Sequence, residues 1–469
     1  MTATRYSRRA FLRAVGIGAA VFAVPACTTG KRLSKKTPAV DRPNFVVIFT
    51  DDQGYQDIGC FGSPTIKTPN LDRMATEGMK FTDFYSAASI CSPSRAALMT
   101  GCYPPRVGIT RVLFPRDNIG LDPGEITIAD ILKGRGYTTA CIGKWHLGHL
   151  PQFLPTNNGF DYYFGIPYSN DMDGVKGKNR DLDRAWQQRD YSPWNVPLMR
   201  NTQIIERPAD QTKLIERYTE EAVKFIEKNK ARPFFLYLAH TMPHIPLFVS
   251  DEFYTEDPKK AYTVTIEQID WSVGEVLSAL KRAGVDENTL VVFTSDNGPW
   301  LSKKHHGGCA LPLRDGKFST YEGGMREPCI MRWPGRIPAN TVCSEVCGTI
   351  DLLPTFARLA GAEPPRDRVI DGKDIWRLMA GRPGARTPHQ AYYYYRGTKL
   401  EAARTGRWKL VRKKQIELYD LETDISETKN LAAEQPQIVN RLTRMMEEFD
   451  SKLKADARSP ARTASNKDS

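Results

Sequence analysis

Two widely separated stretches do most to limit how this chain can fold. Asn44-Phe-Val-Val-Ile-Phe-Thr50 and Leu290-Val-Val-Phe-Thr-Ser295 are continuous β-branched and aromatic runs with no polar alternation. A strand that is apolar on both faces must be covered on both, which is the situation of a parallel strand inside an α/β sheet. The first run ends in Asp51-Asp52-Gln53-Gly54 and the second in Asp296-Asn297-Gly298-Pro299. Open α/β sheets bind ligands beyond the carboxyl ends of their strands, so both polar pairs fall where a ligand would sit. Adjacent carboxylates repel each other, and a hard cation relieves the repulsion. Taken alone, Asp51-Asp52 reads equally well as a solvated turn. Taken together, Asp51, Asp52, Asp296 and Asn297 form an all-oxygen ligand set with no soft member, suited to Ca2+ ahead of Mg2+.

The remaining pattern supports the same class. Phe81–Tyr85, Tyr137–Ile142 and Phe234–Leu238 read as further strands, and Pro69–Met79 and Tyr262–Ala283 as helices, the latter with Ile266, Ile269, Val273, Val276 and Leu280 at helical spacing. The 469 residues suffice for one large α/β domain and a smaller one. A Gly-, Pro- and Arg-rich stretch at Ala380–Pro388 marks a boundary. Beyond it Tyr392–Arg396, Leu400–Arg404, Trp408–Val411 and Gln415–Tyr419 read as short antiparallel strands, and Gln437–Leu453 as an amphipathic helix. The expected fold is α/β: a large mixed, mostly parallel sheet sandwiched by helices, with a smaller C-terminal subdomain of antiparallel sheet plus helix. The polar segment 171–207 reads as an irregular substrate-facing insertion or lid.

Between the two oxygen-rich turns lies Cys91-Ser92-Pro93-Ser94-Arg95, continued by Ala96-Ala97-Leu98-Met99-Thr100-Gly101. Proline suits a first helical turn, so Cys91 falls beside a helix N-terminus that favours negative charge, with Arg95 one turn on. A buried structural cysteine with a solvated arginine is the plainer reading of those residues alone. The whole string, however, closely resembles the signature of the type I sulfatases, members of the alkaline phosphatase superfamily. The resemblance runs from about residue 43 to 453, and implies that Cys91 is oxidised to formylglycine (3-oxoalanine) by a dedicated maturation enzyme. The hydrate of that aldehyde would be the nucleophile, touching the cation of Asp51, Asp52, Asp296 and Asn297.

Other motifs fill family-like positions. Gly143-Lys144-Trp145-His146-Leu147-Gly148 follows a strand, and alternation puts Lys144 and His146 on one face. Gly165-Ile-Pro-Tyr-Ser169-Asn170 resembles the stretch whose serine contacts sulfate, although Ser169 also suits an ordinary turn. Of two histidines after a strand end, the resemblance selects His244, in Pro-His-x-Pro, and leaves His240 structural. Gly316-Lys317-Phe318 through Pro328 resembles the second family signature, with Phe318 where small residues are usual, and nominates Lys317; Glu322 and Arg326 read as structural. The implied roles are Arg95 holding the modified residue, Lys144, Lys317 and Ser169 holding the sulfuryl group, and His244 with Lys317 protonating the leaving oxygen. His146 would deprotonate the remaining hydroxyl to expel sulfate. The implied partner is a sulfated glycan or small sulfate ester, with aryl sulfates as surrogates. The rivals are a phosphatase or phosphonate hydrolase on the same fold, and an inactive exported carbohydrate-binding lipoprotein. The mark of the latter would be loss of Cys91, a cation ligand or Lys317, and all are present. A tyrosine-phosphatase loop needs arginine where Ala97 stands.

The formal charge of +12 is spread along the chain, which argues against nucleic acid and suits an anionic substrate. Ser7-Arg8-Arg9-Ala10-Phe11-Leu12 and the apolar Ala14–Ala26 read as a twin-arginine export signal, too short to span a membrane. Val24-Pro25-Ala26-Cys27 resembles a bacterial lipobox, with an unusual proline at its second position, so Cys27 is either a lipid anchor or a neighbour of plain cleavage. The expected division is a signal at 1–26, a linker at 27–42, a catalytic domain at 43–385, a C-terminal subdomain at 386–455 and a disordered tail at 456–469. The mature product would be periplasmic or membrane-anchored. Nine cysteines show no zinc spacing, though Cys343 and Cys347 are near enough to pair. Lys303, Lys304, His305, His306 and Cys309 likewise lack metal-ligand spacing and read as a basic loop near the cleft.

Overall fold

The computed structural model describes residues 42–463. The export signal, the lipobox at Cys27 and most of the linker lie outside the described residues, as do 464–469. The strands in chain order are β1 (Asn44–Thr50), β2 (Met79–Tyr85), β3 (Ile119–Gly120), β4 (Thr138–Gly143), β5 (Tyr162–Gly165), β6 (Leu198–Arg200), β7 (Gln203–Glu206) and β8 (Phe234–Ala239). They continue with β9 (Thr289–Ser295), β10 (Arg326–Arg332), β11 (Thr341–Cys343), β12 (Cys347–Gly348) and the C-terminal β13 (Tyr392–Arg396), β14 (Lys399–Thr405), β15 (Trp408–Arg412), β16 (Ile416–Asp420) and β17 (Ala461–Arg462). The main sheet has eleven strands in the order β11-β2-β10-β9-β1-β8-β4-β5-β6-β7, with β12 also on β2. Its centre, β9-β1-β8-β4-β5, is parallel, whereas β10 is antiparallel to both neighbours.

Every residue of β1 and β9 is buried. Phe45, Val47 and Phe49 enter one core and Val46 and Ile48 the other, so each face of the sheet carries its own helical layer. The first is covered by helices Cys91–Thr100, Ile128–Gly134 and Leu352–Leu359, the second by Pro69–Thr76, Leu214–Asn229 and Ala261–Arg282. The β1–β9 register pairs Thr50 with Ser295. Two chain segments far apart in sequence therefore leave the sheet side by side, carrying Asp51-Asp52 and Asp296-Asn297.

Strands β13 to β16 form a four-stranded antiparallel sheet closed by helix Pro436–Ala455 through Leu442, Met446 and Leu453. A buried charge cluster joins it to the main body. Lys409 Nζ lies 2.8 Å from both Glu322 and Glu427, Tyr85 OH donates to Glu322 Oε2 (2.6 Å) and Tyr394 OH to Glu322 Oε1 (3.1 Å). Arg326 reaches Glu322 at 3.3 Å and Asp83 at 2.8 Å, so both residues serve architecture. Removing one member of a buried ion pair strands the other, so Lys409→Met is expected to cost about 3–5 kcal/mol. A denaturant titration would read this as a lowered midpoint; an unchanged midpoint would refute it.

Three expectations need correction. Residues 456–463 are ordered: Arg458 pairs with Glu125 (2.6 and 2.9 Å), and Ala461–Arg462 adds antiparallel to β3. Polar composition shows only that a segment buries little apolar surface; here a carboxylate and a free strand edge supply its partners instead. Segment 171–207 is not irregular throughout, because Trp186, Trp194 and Leu198 are buried and anchor helix Leu182–Gln188 and the edge strands β6 and β7. Cys343 and Cys347, which lie on separate strands beside β2, are free thiols. Among the described residues no helix is long and apolar enough to cross a membrane.

Candidate active site

The site is built where β1, β4, β8 and β9 end. After β1 the chain turns at Asp52 with φ +64, a left-handed conformation uncommon for residues with a Cβ. This lets Asp52 N donate to Asp296 Oδ1 at 3.2 Å. Gly298 is required by close approach, since a Cβ there would lie 1.8 Å from Gly323 O. The second signature is thereby pressed against the end of β9, and Lys317 Nζ lies 2.7 Å from Asp52 Oδ2.

Cys91 is the first residue of helix Cys91–Thr100, all ten residues of which are buried, and Gly101 closes it at φ +67. Ligand atoms of Cys91, Asp51 and Asp296 lie within 4.8 Å of one another. Arg95 is not solvated: Nε and Nη2 donate to Asp296 Oδ2 (3.1 and 2.8 Å), Nη1 donates to Lys144 O (3.0 Å), and Nη2 is 3.2 Å from Asp51 Oδ2. Lys144, just past β4, pairs with Asp51 Oδ2 and lies 3.0 Å from Ser169 Oγ. Ser169 Oγ is 3.4 Å from His244 Nδ1, and His244 Nε2 is 3.6 Å from Asp52 Oδ2. His146 sits at φ +61, with Nε2 donating to Leu113 O at 2.9 Å and Nδ1 unpartnered. His240 instead faces Ser272 Oγ (3.2 Å), as its structural reading requires.

Burial opposes ionisation of Asp51, but Lys144 and Arg95 outweigh it and hold the carboxyl well below the usual range. Burial and the neighbouring Asp51 push Asp296 up to about 7. Burial raises the Cys91 thiol to about 11, so the unmodified sulfur is a protonated, weak nucleophile at neutral pH. Burial, then Lys317, lowers His244 to about 3, and burial with Lys144 and Arg95 lowers His146 well below the ordinary histidine value. Lys317 is raised above the usual lysine value, because Asp52 overcomes the burial that opposes its charge.

Two buried oxygens stand out: Asp51 Oδ1 and Asn297 Oδ1 receive no hydrogen bond. Buried acceptors are ordinarily satisfied, and oxygens of this kind beside a second carboxylate fit a hard cation. A model of the family described as Sulfatase matches residues 43–362, and one described as N-sulphoglucosamine sulphohydrolase, C-terminal, matches 314–454.

The chain belongs to the sulfatase family.

This sulfatase is accordingly a sulfuric ester hydrolase with the fold its sequence implies. It is 41% identical over 382 residues to the N-acetylgalactosamine-6-sulfatase of Canis lupus familiaris, covering 78% of this chain and 71% of the relative. It is 40% identical over 382 residues to the arylsulfatase A of Homo sapiens, covering 78% and 74%. Among solved structures, Ps i-CgsB in complex with k-i-k-neocarrahexaose superposes with a TM-score of 0.78 at 33% identity, over 90% of this sulfatase and 94% of that chain.

Of the residues singled out in the sequence, Asp51, Asp52, Lys144, His146, His244, Asp296 and Asn297 follow these strand ends, Cys91 and Arg95 come from helix Cys91–Thr100, Ser169 from the loop after β5 and Lys317 from the loop before β10. Sequence reading missed Trp300, whose ring is 5.7 Å from that of His244 and 4.5 Å from Lys317 Nζ. It also missed Tyr237, whose hydroxyl accepts from Arg95 at 3.4 Å. A tryptophan immediately after Asp296-Asn-Gly-Pro299 was the available signal for the first; Tyr237 is indistinguishable from core within its strand.

Proposed function

We propose that this sulfatase hydrolyses sulfate esters of a carbohydrate through Cys91 matured to formylglycine, with Ca2+ held by Asp51, Asp52, Asp296 and Asn297. The observation that carries the reading is the pair of donorless buried oxygens, Asp51 Oδ1 and Asn297 Oδ1, in the same cluster as Cys91 and Arg95. When present, the aldehyde hydrate supplies an oxygen nucleophile and the cation supplies charge stabilisation, with Mg2+ as the alternative ion.

The chain's own groups account for the rest. Arg95, Lys144 and Lys317 face Asp51, Asp52 and Asp296 in equal number, so a bound dication leaves the cluster positive and ready for an anionic sulfate ester. Arg95, tied to two carboxylates, fixes the nucleophile's end of the site. Lys144, Ser169 and Lys317 grip the sulfuryl oxygens. His244 Nδ1 faces Ile245 O at 2.6 Å, which assigns its proton to Nδ1. Its Nε2 donates only when the ring is charged, so Lys317 is the standing proton source for the leaving oxygen, with His244 beside it. His146, whose Nε2 proton is engaged by Leu113 O, keeps a free lone pair at Nδ1 and takes the proton that releases sulfate.

A carbohydrate substrate is supported by the saccharide named in the Ps i-CgsB complex and by the sugar in the name of the dog relative. Maturation requires a formylglycine-generating enzyme, and the exported location, periplasmic or anchored through Cys27, belongs to the same proposal. The test is a panel of sulfated mono- and oligosaccharides alongside an aryl sulfate. Sulfate release from at least one saccharide is expected; release from the aryl ester alone would refute a glycan substrate. Lys317→Ala is expected to lower kcat by about 10²–10⁴-fold, the range for losing a proton donor and an oxyanion contact. A change below tenfold would remove Lys317 from the chemistry.

A further inference from the structure

The basic loop after Trp300 carries a second constellation that spacing along the chain could not reveal. His305 Nε2 and His306 Nε2 each lie 2.7 Å from one oxygen, Oδ1 of Asp183, a residue more than a hundred positions upstream. Consecutive residues in most backbones send their side chains apart. Here Lys304 adopts φ +55 and ψ −121, outside the regions open to a residue with a Cβ, and kinks the stretch Leu301–His306. The kink brings the two imidazoles to 4.5 Å between ring centres, aimed at the same carboxylate. The strained backbone thus makes the convergence.

We propose that Asp183, His305 and His306 form a zinc-class divalent-cation site, separate from the sulfatase centre. The three ligand atoms lie within 4.8 Å of one another, so small side-chain rotations set them around one ion. Two imidazoles select zinc and its neighbours over calcium, the reverse of the all-oxygen set at Asp51. His306 is buried, so its ring is held in place beside Asp183 by packing. The Asp183 side chain is 49% exposed and that of His305 32%, which leaves a face open for entry and for water as a further ligand. His306 Nδ1 has no partner behind it, so its ring is without the outer hydrogen bond that tightens many histidine centres by about 10–100-fold.

Its position gives the ion a use. Asp183 lies on helix Leu182–Gln188 of the inserted segment, and the histidines end the short stretch Leu301–His306 that begins after Trp300, the ring beside His244 and Lys317. An ion there would pin the insertion to the loop that holds Trp300 at the active site.

The test uses the full chain, stripped with chelator, saturated with calcium and exposed to zinc chloride before desalting. Bound zinc is counted in the wild type, in Asp183→Ala and in His305→Ala. Retained turnover of an aryl sulfate and an unaltered unfolding midpoint in chelator certify that the variants fold. One equivalent more zinc in the wild type than in both variants is expected; taking the difference cancels any zinc held by the Cys91 thiol. Equal zinc in the wild type and either variant, or none in the wild type, overturns the site. The zinc count does not depend on the sulfatase chemistry, and the unfolding midpoint alone certifies the fold should the aryl ester not be turned over.

Discussion

Cys91→Ala is expected to abolish sulfate release, with kcat lowered by at least about 10⁴-fold, the scale seen when a covalent nucleophile is deleted. The size follows from the surroundings. No other side chain in the cluster combines nucleophilic chemistry with contact to Asp51, Asp296 and Arg95, and alanine keeps the helix while removing only the sulfur. The thiol itself, raised to about 11 by burial, is no substitute for a maturated residue. The companion measurement is the mass of the tryptic peptide Phe81–Arg95 from protein made in its native host. An aldehyde in place of the thiol is expected. Full activity from a chain whose Cys91 is an unmodified thiol would sink the mechanism, and substantial activity in the alanine variant would sink the assignment of the nucleophile.

Removal of divalent cations ranks second. Chelation is expected to lower activity by at least about 10²-fold, comparable to loss of an oxyanion donor, and calcium should restore it. Stability should move in parallel. Asp51 Oδ1 and Asn297 Oδ1 are buried and receive no hydrogen bond, and a buried polar atom left unsatisfied costs about 1–3 kcal/mol. A cation that binds only the native state stabilises it by mass action, so the unfolding midpoint should climb with calcium concentration. A midpoint and turnover indifferent to both chelator and calcium would remove the ion from the proposal.

Much of this was legible in the sequence because two strong local signals agreed. The uninterrupted apolar character of Asn44–Thr50 and Leu290–Ser295 dictates burial on both sheet faces, and the oxygen-rich turns after them mark the ligand edge. The C-terminal strands were equally plain, since each is short, β-prone and bounded by turns. What stayed hidden depends on partners distant in sequence. Arg95 looked free to be solvated because Asp296 and Asp51 cannot be placed beside it from spacing. Segment 171–207 looked irregular because its buried tryptophans are scattered among charges. Residues 456–463 looked loose because Glu125 and the edge of β3, which hold them, lie far upstream. His305 and His306 lacked a ligand pattern until the fold delivered Asp183.

Burial of Cys91 also sets a race. The residue is 2% exposed, and no part of its helix reaches the surface. On the proposed maturation, an enzyme that converts this thiol must reach it before the helix packs, because the folded protein does not offer it. Conversion therefore competes with folding of the nascent chain, and helix Cys91–Thr100 is the finishing line. The packing that makes the site rigid requires contacts between β1 and β9, whose partners are separated by half the chain, and such long-range pairing is slow. That delay is the interval open to the proposed modification. Mutations that speed early collapse around this helix would yield more protein in the native fold with a smaller fraction carrying the aldehyde.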